Sequence, residues 1–135
     1  MKFLLDSHSL LWFVWDHHKL SPKARDLMAN PRNELLFSMA SLWEIAIKVS
    51  IGKLRLAEPY DAFMNQVITT NHLIILPITV QHATTVVSLP FQHRDPFDRL
   101  LVAQAMVEQV PIISCDSVFD AYPVTRLWEA SELTS

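Results

Sequence analysis

Four acidic residues stand at or close to the junctions where an apolar run gives way to a helix-like segment. Asp6 follows "KFLL" (2–5), Glu44 lies within "SMASLWEIAIKVSIGKL" (38–54), Asp98 lies in "HRDPFDRLL" (93–101) and Asp116 closes "PIISCD" (111–116). Carboxylates without paired thiols or metal-spaced imidazoles favour a hard, oxygen-loving ion, Mg²⁺ or Mn²⁺ rather than Zn²⁺. Each acid also has a structural explanation. Asp6 and Asp116 suit helix N-caps, worth about 1 kcal/mol each. Glu44 completes a Ser41-x-x-Glu44 capping box or pairs with Lys48 at i,i+4. Asp95, Pro96 and Asp98 make a capping-box-like helix start. Capping does not account for convergence: two carboxylates at about 5 Å repel by about 3 kcal/mol at an effective dielectric near 20. Gathered on one edge, the acids need bound protons or a cation.

The elements that position them follow from periodicity and punctuation. Strands are predicted at 2–6, 34–38, 73–78 and 111–116, with a last edge strand at 124–128. Helices are predicted after Asp6, over 21–30, over 38–54 with Gly52 at the C′ position, and over 59–71, 79–89 and 96–110. Short apolar runs alternating with helices imply an α/β fold with a mainly parallel sheet covered on both faces. In such sheets the strand C-terminal ends share one edge, where ligands bind. Asp6, Glu44, Asp98 and Asp116 all fall there.

The 135 residues, half of them apolar, suit one domain spanning 1–135. The single cysteine, Cys115, offers no intrachain bridge, so a reducing cytoplasm is the expected location. Asp6 and His8 interrupt the N-terminal apolar run and no small-residue cleavage site follows, which argues against export. No uncharged apolar stretch reaches the ~20 residues that cross a bilayer. The net charge of −3 disfavours broad phosphate neutralisation, and the single glycine, Gly52, excludes Rossmann and P-loop phosphate cradles. Phosphate would have to be met through a cation.

His8 and His93 flank the acids, where a proton shuttle, a phosphate contact or ordinary packing are all open roles; the other histidines lack metal spacing. Ser114, two residues before Asp116, is placed to orient a carboxylate or a water. Lys48, Lys53, Arg94 and Arg99 are candidate phosphate contacts or solvated helix faces. The tryptophans suit core or interface more than a base-stacking platform.

In order and spacing, "LLDSHSLLW", "SMASLWEIAIKVSIGKL", "HRDPFDRLLVAQA" and "IISCDSVFDAY", with the terminal "V-x-x-LW", resemble the PIN domains of VapC-like toxins from type II toxin–antitoxin pairs. The resemblance spans nearly the whole chain. It implies a PIN-like three-layer sandwich, Mg²⁺- or Mn²⁺-dependent endoribonuclease activity on RNA, homodimerisation and inhibition by a cognate antitoxin protein. It places the family's four acids on Asp6, Glu44, Asp98 and Asp116, as catalytic residues and metal ligands. Asp95 is an extra acid of the "HRDPFDR" subgroup that caps, ligates or supports. Ser7 and Ser114 stand where many relatives carry threonine.

On this reading Asp6, Asp98 and Asp116 hold one or two ions, and Glu44 ligates or positions water. The segment 10–15 offers a second face as a groove for an antitoxin helix. Two alternatives compete: a noncatalytic protein-binding module whose acids are only caps, and a phosphatase for small esters. The phosphatase lacks an Asp-x-Asp motif at Asp6, where Ser7 and His8 follow instead.

Overall fold

In the computed structural model, residues 1–91 and 94–129 are described; His93 falls outside them. The elements run β1 (Lys2–Leu5), α1 (Ser7–Val14), α2 (Pro22–Ala29), β2 (Glu34–Ser38), α3 (Met39–Ser50), α4 (Tyr60–Thr70), β3 (Ile74–Leu76), α5 (Val80–Ser88), α6 (Pro96–Glu108), β4 (Ile112–Ile113), a 3₁₀ turn (Ser117–Ala121) and β5 (Arg126–Leu127). The five strands form one parallel sheet in the order β3-β2-β1-β4-β5. This is the α/β fold expected.

Alternation along the strands creates the three layers. Phe3, Leu5, Leu35, Phe37 and Ile113 face one core, packed with Leu10 and Leu11 of α1, Ala24 and Met28 of α2, Ile45 of α3 and Phe63 of α4. Leu4, Leu36 and Ile112 face the other, packed with Leu101, Val102 and Ala105 of α6 and with Phe119 and Tyr122. A parallel strand covered on both faces must be apolar at consecutive positions, and "FLL", "LLF" and "II" satisfy that. No helix among the described residues is long and apolar enough to cross a membrane.

The chain proceeds from β1 outward to β2 and β3, then returns to add β4 on the other side of β1. Strand order therefore reverses between β1 and β4, and the C-terminal ends of strands at such a switch point are where open α/β sheets bind ligands. Asp6 follows β1 directly and Ser114 follows β4 directly.

Two local expectations are corrected. The N-cap of α3 is Ser38, whose Oγ accepts the Ala40 amide at 3.1 Å, and not Ser41. The helix starts where β2 ends, so Ser41 lies inside it and is buried. The β4 ladder is confined to Ile112–Ile113 because Asp116 has turned to cap the 3₁₀ segment. Gly52 takes the expected left-handed C′ position at φ +78°; its amide bonds to Val49 O and that of Lys53 to Lys48 O, a Schellman closure.

Candidate active site at the strand edge

Asp6 stands directly after β1, at the point where the strand order reverses. As N-cap of α1 it accepts the Ser9 amide on Oδ1 at 2.9 Å, and Oδ2 accepts the Ser114 hydroxyl at 2.5 Å. Only 7% of the residue is exposed. Burial pushes its carboxyl above the usual carboxylate range, opposed by the Ser114 and Ser9 hydrogen bonds and the nearby His8. The site thus keeps a carboxylate in a setting that disfavours its charge.

Ser114 Oγ also accepts the Asp116 amide at 3.0 Å, while Asp116 Oδ1 accepts the Val118 amide at 3.0 Å. Burial, followed by the charges of Asp6 and Asp116, pushes the Cys115 thiol up, so both acids are felt at the position between Ser114 and Asp116. Ser9 Oγ donates to Ile113 O at 2.9 Å and fixes α1 against β4. Arg126, which sequence reasoning missed, donates to Ser114 O at 3.2 Å and forks onto Asp120 at 2.9 Å through both Nε and Nη2. No local pattern could have revealed it, because its partners are the carbonyl after β4 and an acid of the 3₁₀ turn, twelve and six residues away.

Glu44 lies one turn inside α3. Its Oε1 accepts the Ser7 hydroxyl at 2.6 Å, and its Oε2 is 3.6 Å from Lys48 Nζ. The capping-box alternative for Glu44 is thereby set aside, while the Lys48 pair is present. Asp98 lies in the first turn of α6 and is half-buried. Its own amide and that of Phe97 bond to Asp95 Oδ1 at 3.3 and 2.8 Å, so Asp95 is the cap. Phe97 packs edge-on against Trp43, with ring centroids 5.9 Å apart. Asp98 and Glu44 are the chain neighbours of those two rings, so this contact joins the turns that carry them.

Ser114 thus ties the Asp6 carboxylate to the Asp116 backbone, Ser7, next in the chain to Asp6, holds Glu44, and the Trp43–Phe97 contact joins the turns that carry Glu44 and Asp98. Among the described residues, no group of three His, Cys, Asp or Glu side chains stands placed to hold a metal ion. The convergence is looser than charge counting implied, because hydroxyls and capped amides occupy the oxygens. The chemistry of the donors, carboxylates without thiols, is the kind a Mg²⁺-like ion takes, since such an ion keeps several waters and uses one or two carboxylates beside substrate phosphate.

Arg99 is not a phosphate contact. It is buried, donates from Nη1 to Pro90 O at 3.1 Å and from Nη2 to Val86 O at 3.3 Å, and lies over the Phe91 ring at 4.8 Å.

A family model described as "PIN domain" matches residues 3–124. The chain belongs to the PIN domain family. Its fold is similar to that of a chain of the VapBC2 complex from Rickettsia felis bound to a promoter DNA fragment, with a TM-score of 0.71, 15% identity, and 96% of this chain and 100% of that one covered. A chain of VapBC-1 from nontypeable Haemophilus influenzae aligns with a TM-score of 0.64 and 14% identity, over 94% of this PIN domain and 97% of that chain. One from a Klebsiella pneumoniae toxin–antitoxin complex gives 0.61 and 15%, over 92% and 94%. Two curated Xylella fastidiosa proteins named pyridoxine/pyridoxamine 5′-phosphate oxidase are each 44% identical over 63 residues, covering 44% of this chain. The aligned stretch is 30% of their length, so the chain spans under a third of the curated relatives it matches.

Proposed function

We propose that this PIN domain is the toxin of a toxin–antitoxin pair and acts as a Mg²⁺- or Mn²⁺-dependent endoribonuclease. Asp6, Asp98 and Asp116 hold the ion, and Glu44 ligates it or positions water. The observation that carries the reading is Asp6, a buried carboxylate at the β1/β4 switch point whose oxygens accept a serine hydroxyl and a backbone amide. Retaining a carboxylate where burial disfavours its charge makes sense if a cation completes its surroundings.

When bound, the ion would lower the pKa of a coordinated water and offset charge on the scissile phosphate. The chain's own residues do the rest. Ser114 orients Asp6 Oδ2 and fixes the Asp116 backbone, Ser7 holds Glu44 Oε1, and Lys48 keeps a positive charge beside Glu44. The antitoxin would occupy a cleft of about 450 Å³ between α1 and α4, lined by Phe13, Trp15, Phe63 and Val67. Toxin–antitoxin complexes among the structural neighbours support that partner. A homodimer in the cytoplasm completes the proposal.

A noncatalytic binding module is the second reading, favoured by the fact that Asp6, Asp95 and Asp116 all serve as caps. The purified chain, incubated with mixed RNA and Mg²⁺ or Mn²⁺, separates the two. Cleavage that stops on chelation and is lost in Asp6→Asn is the expected result. RNA left intact under every ion, with no heat of Mn²⁺ binding, would establish the module instead.

A further inference from the structure

A second cleft, of about 260 Å³, opens between α1 and α3 directly beside the acidic edge. One wall is a single face of α1, on which Ser7, Leu11 and Trp15 recur at i, i+4 and i+8 with Trp12 beside them. The opposite wall carries Lys48 and Lys53. The two lysines share that wall because the Schellman turn at Gly52 folds the chain back, the Lys53 amide bonding to Lys48 O at 2.9 Å. The cleft is continuous with the site: Ser7 and Lys48, which hold Glu44, also line it.

We propose that this cleft is a nucleotide subsite of the RNA-binding surface. It takes one nucleotide flanking the scissile phosphate, with the base against Trp15 and the phosphate between Lys48 and Lys53. The inference rests on the endoribonuclease reading of the adjoining acids. On a chain of net charge −3, two ammonium groups at the mouth of a carboxylate-lined edge offset the repulsion a polyanion would meet there. An aromatic wall facing a cationic one is how single-stranded nucleic acid is held without sequence readout. The α1–α4 cleft on the other flank of Trp15 differs: among the described residues lining it, Glu58 alone is charged, so the two clefts suit different ligands.

The test is binding of a labelled, mixed-sequence oligoribonucleotide to the full chain in chelator, over a range of salt, where no cleavage can occur. Lys53→Ala is expected to lower the slope of log affinity against log salt by about 0.7, the value for one phosphate contact on a single strand. Trp15→Ala is expected to weaken binding about tenfold at every salt concentration, the size of one lost base stack. Arg32→Ala removes one cation from the turn between α2 and β2, at the opposite end of the sheet, and is expected to leave affinity unchanged. Unaltered affinity and slope in Lys53→Ala and Trp15→Ala would overturn the subsite, and so would an equal effect in Arg32→Ala. Weakened binding of an acidic amphipathic peptide with RNA binding intact would assign the cleft to a protein and also overturn it. A chain that binds RNA in this way yet cleaves none keeps the subsite and sinks the nuclease. One that cleaves with unchanged KM in both variants does the reverse.

Discussion

Ser114 and Asp6 lie 108 residues apart in sequence, yet the hydroxyl of one donates to the carboxylate of the other at 2.5 Å. The same hydroxyl receives the Asp116 amide, so two candidate ligands depend on one oxygen. Ser114→Ala leaves a buried carboxylate short of a donor and is expected to cost about 1–3 kcal/mol of stability at neutral pH. Urea titrations at neutral and acidic pH check this. The loss is smaller once Asp6 is protonated, and equal losses at both would assign the hydroxyl's value to the Asp116 amide instead.

Asp6 sets a pH dependence whose sign follows from burial. Its folded carboxyl lies above the unfolded one, so the folded state holds the proton more tightly. Stability of the metal-free protein therefore falls as pH rises from the unfolded carboxyl range through the folded one, then levels off. Melting curves of wild type and Asp6→Asn across that window test it, the asparagine variant showing a flatter profile. Mg²⁺ or Mn²⁺ is expected to raise the wild-type melting temperature on the alkaline side and to leave Asp6→Asn unmoved.

Asp95 and Asp98 have separable roles. Asp95 caps two amides of α6, and Asp95→Ala is expected to cost about 1 kcal/mol of stability. Asp98→Asn is expected to abolish metal-dependent cleavage in a protein whose circular dichroism is unchanged. Robust cleavage by Asp98→Asn would remove it from the site.

Arg99 holds the α5–α6 connection through two carbonyls and the Phe91 ring. Arg99→Ala is expected to lower unfolding free energy by about 1.5–3 kcal/mol without altering RNA affinity of the folded protein. A drop in affinity at constant stability would restore the phosphate role that the fold denies it.

What the sequence discloses here depends on range. Asp95-Pro96 and Ser21-Pro22 mark helix starts because a cap and its target amides are neighbours, and Gly52 marks an end for the same reason. Asp6 and Asp116 are readable as strand-edge acids because the apolar run "FLL" ends directly before the one and "PII" ends with two residues intervening before the other. Ser41 misleads because Ser38, three residues earlier, offers an equally good cap, and only the end of β2 decides between them. His82 resembles an ordinary helix residue, yet it is fully buried, accepting the Thr79 amide on Nδ1 and meeting Glu108 across α6 at 2.8 Å. Arg99 invites a phosphate reading and Arg126 escapes notice, since the carbonyls that Arg99 holds and the Ser114 carbonyl that Arg126 meets are brought to them only by the fold.

The central place of β1 bears on how the molecule comes off the ribosome. Strand β4 and Ser114, which complete the surroundings of Asp6, belong to the last part of the fold to be synthesised. A nascent chain stalled before that point has β1 with one neighbour and an acid with its outer oxygen bare. On the proposed reading, translation products cut short in this way are expected to cleave no RNA.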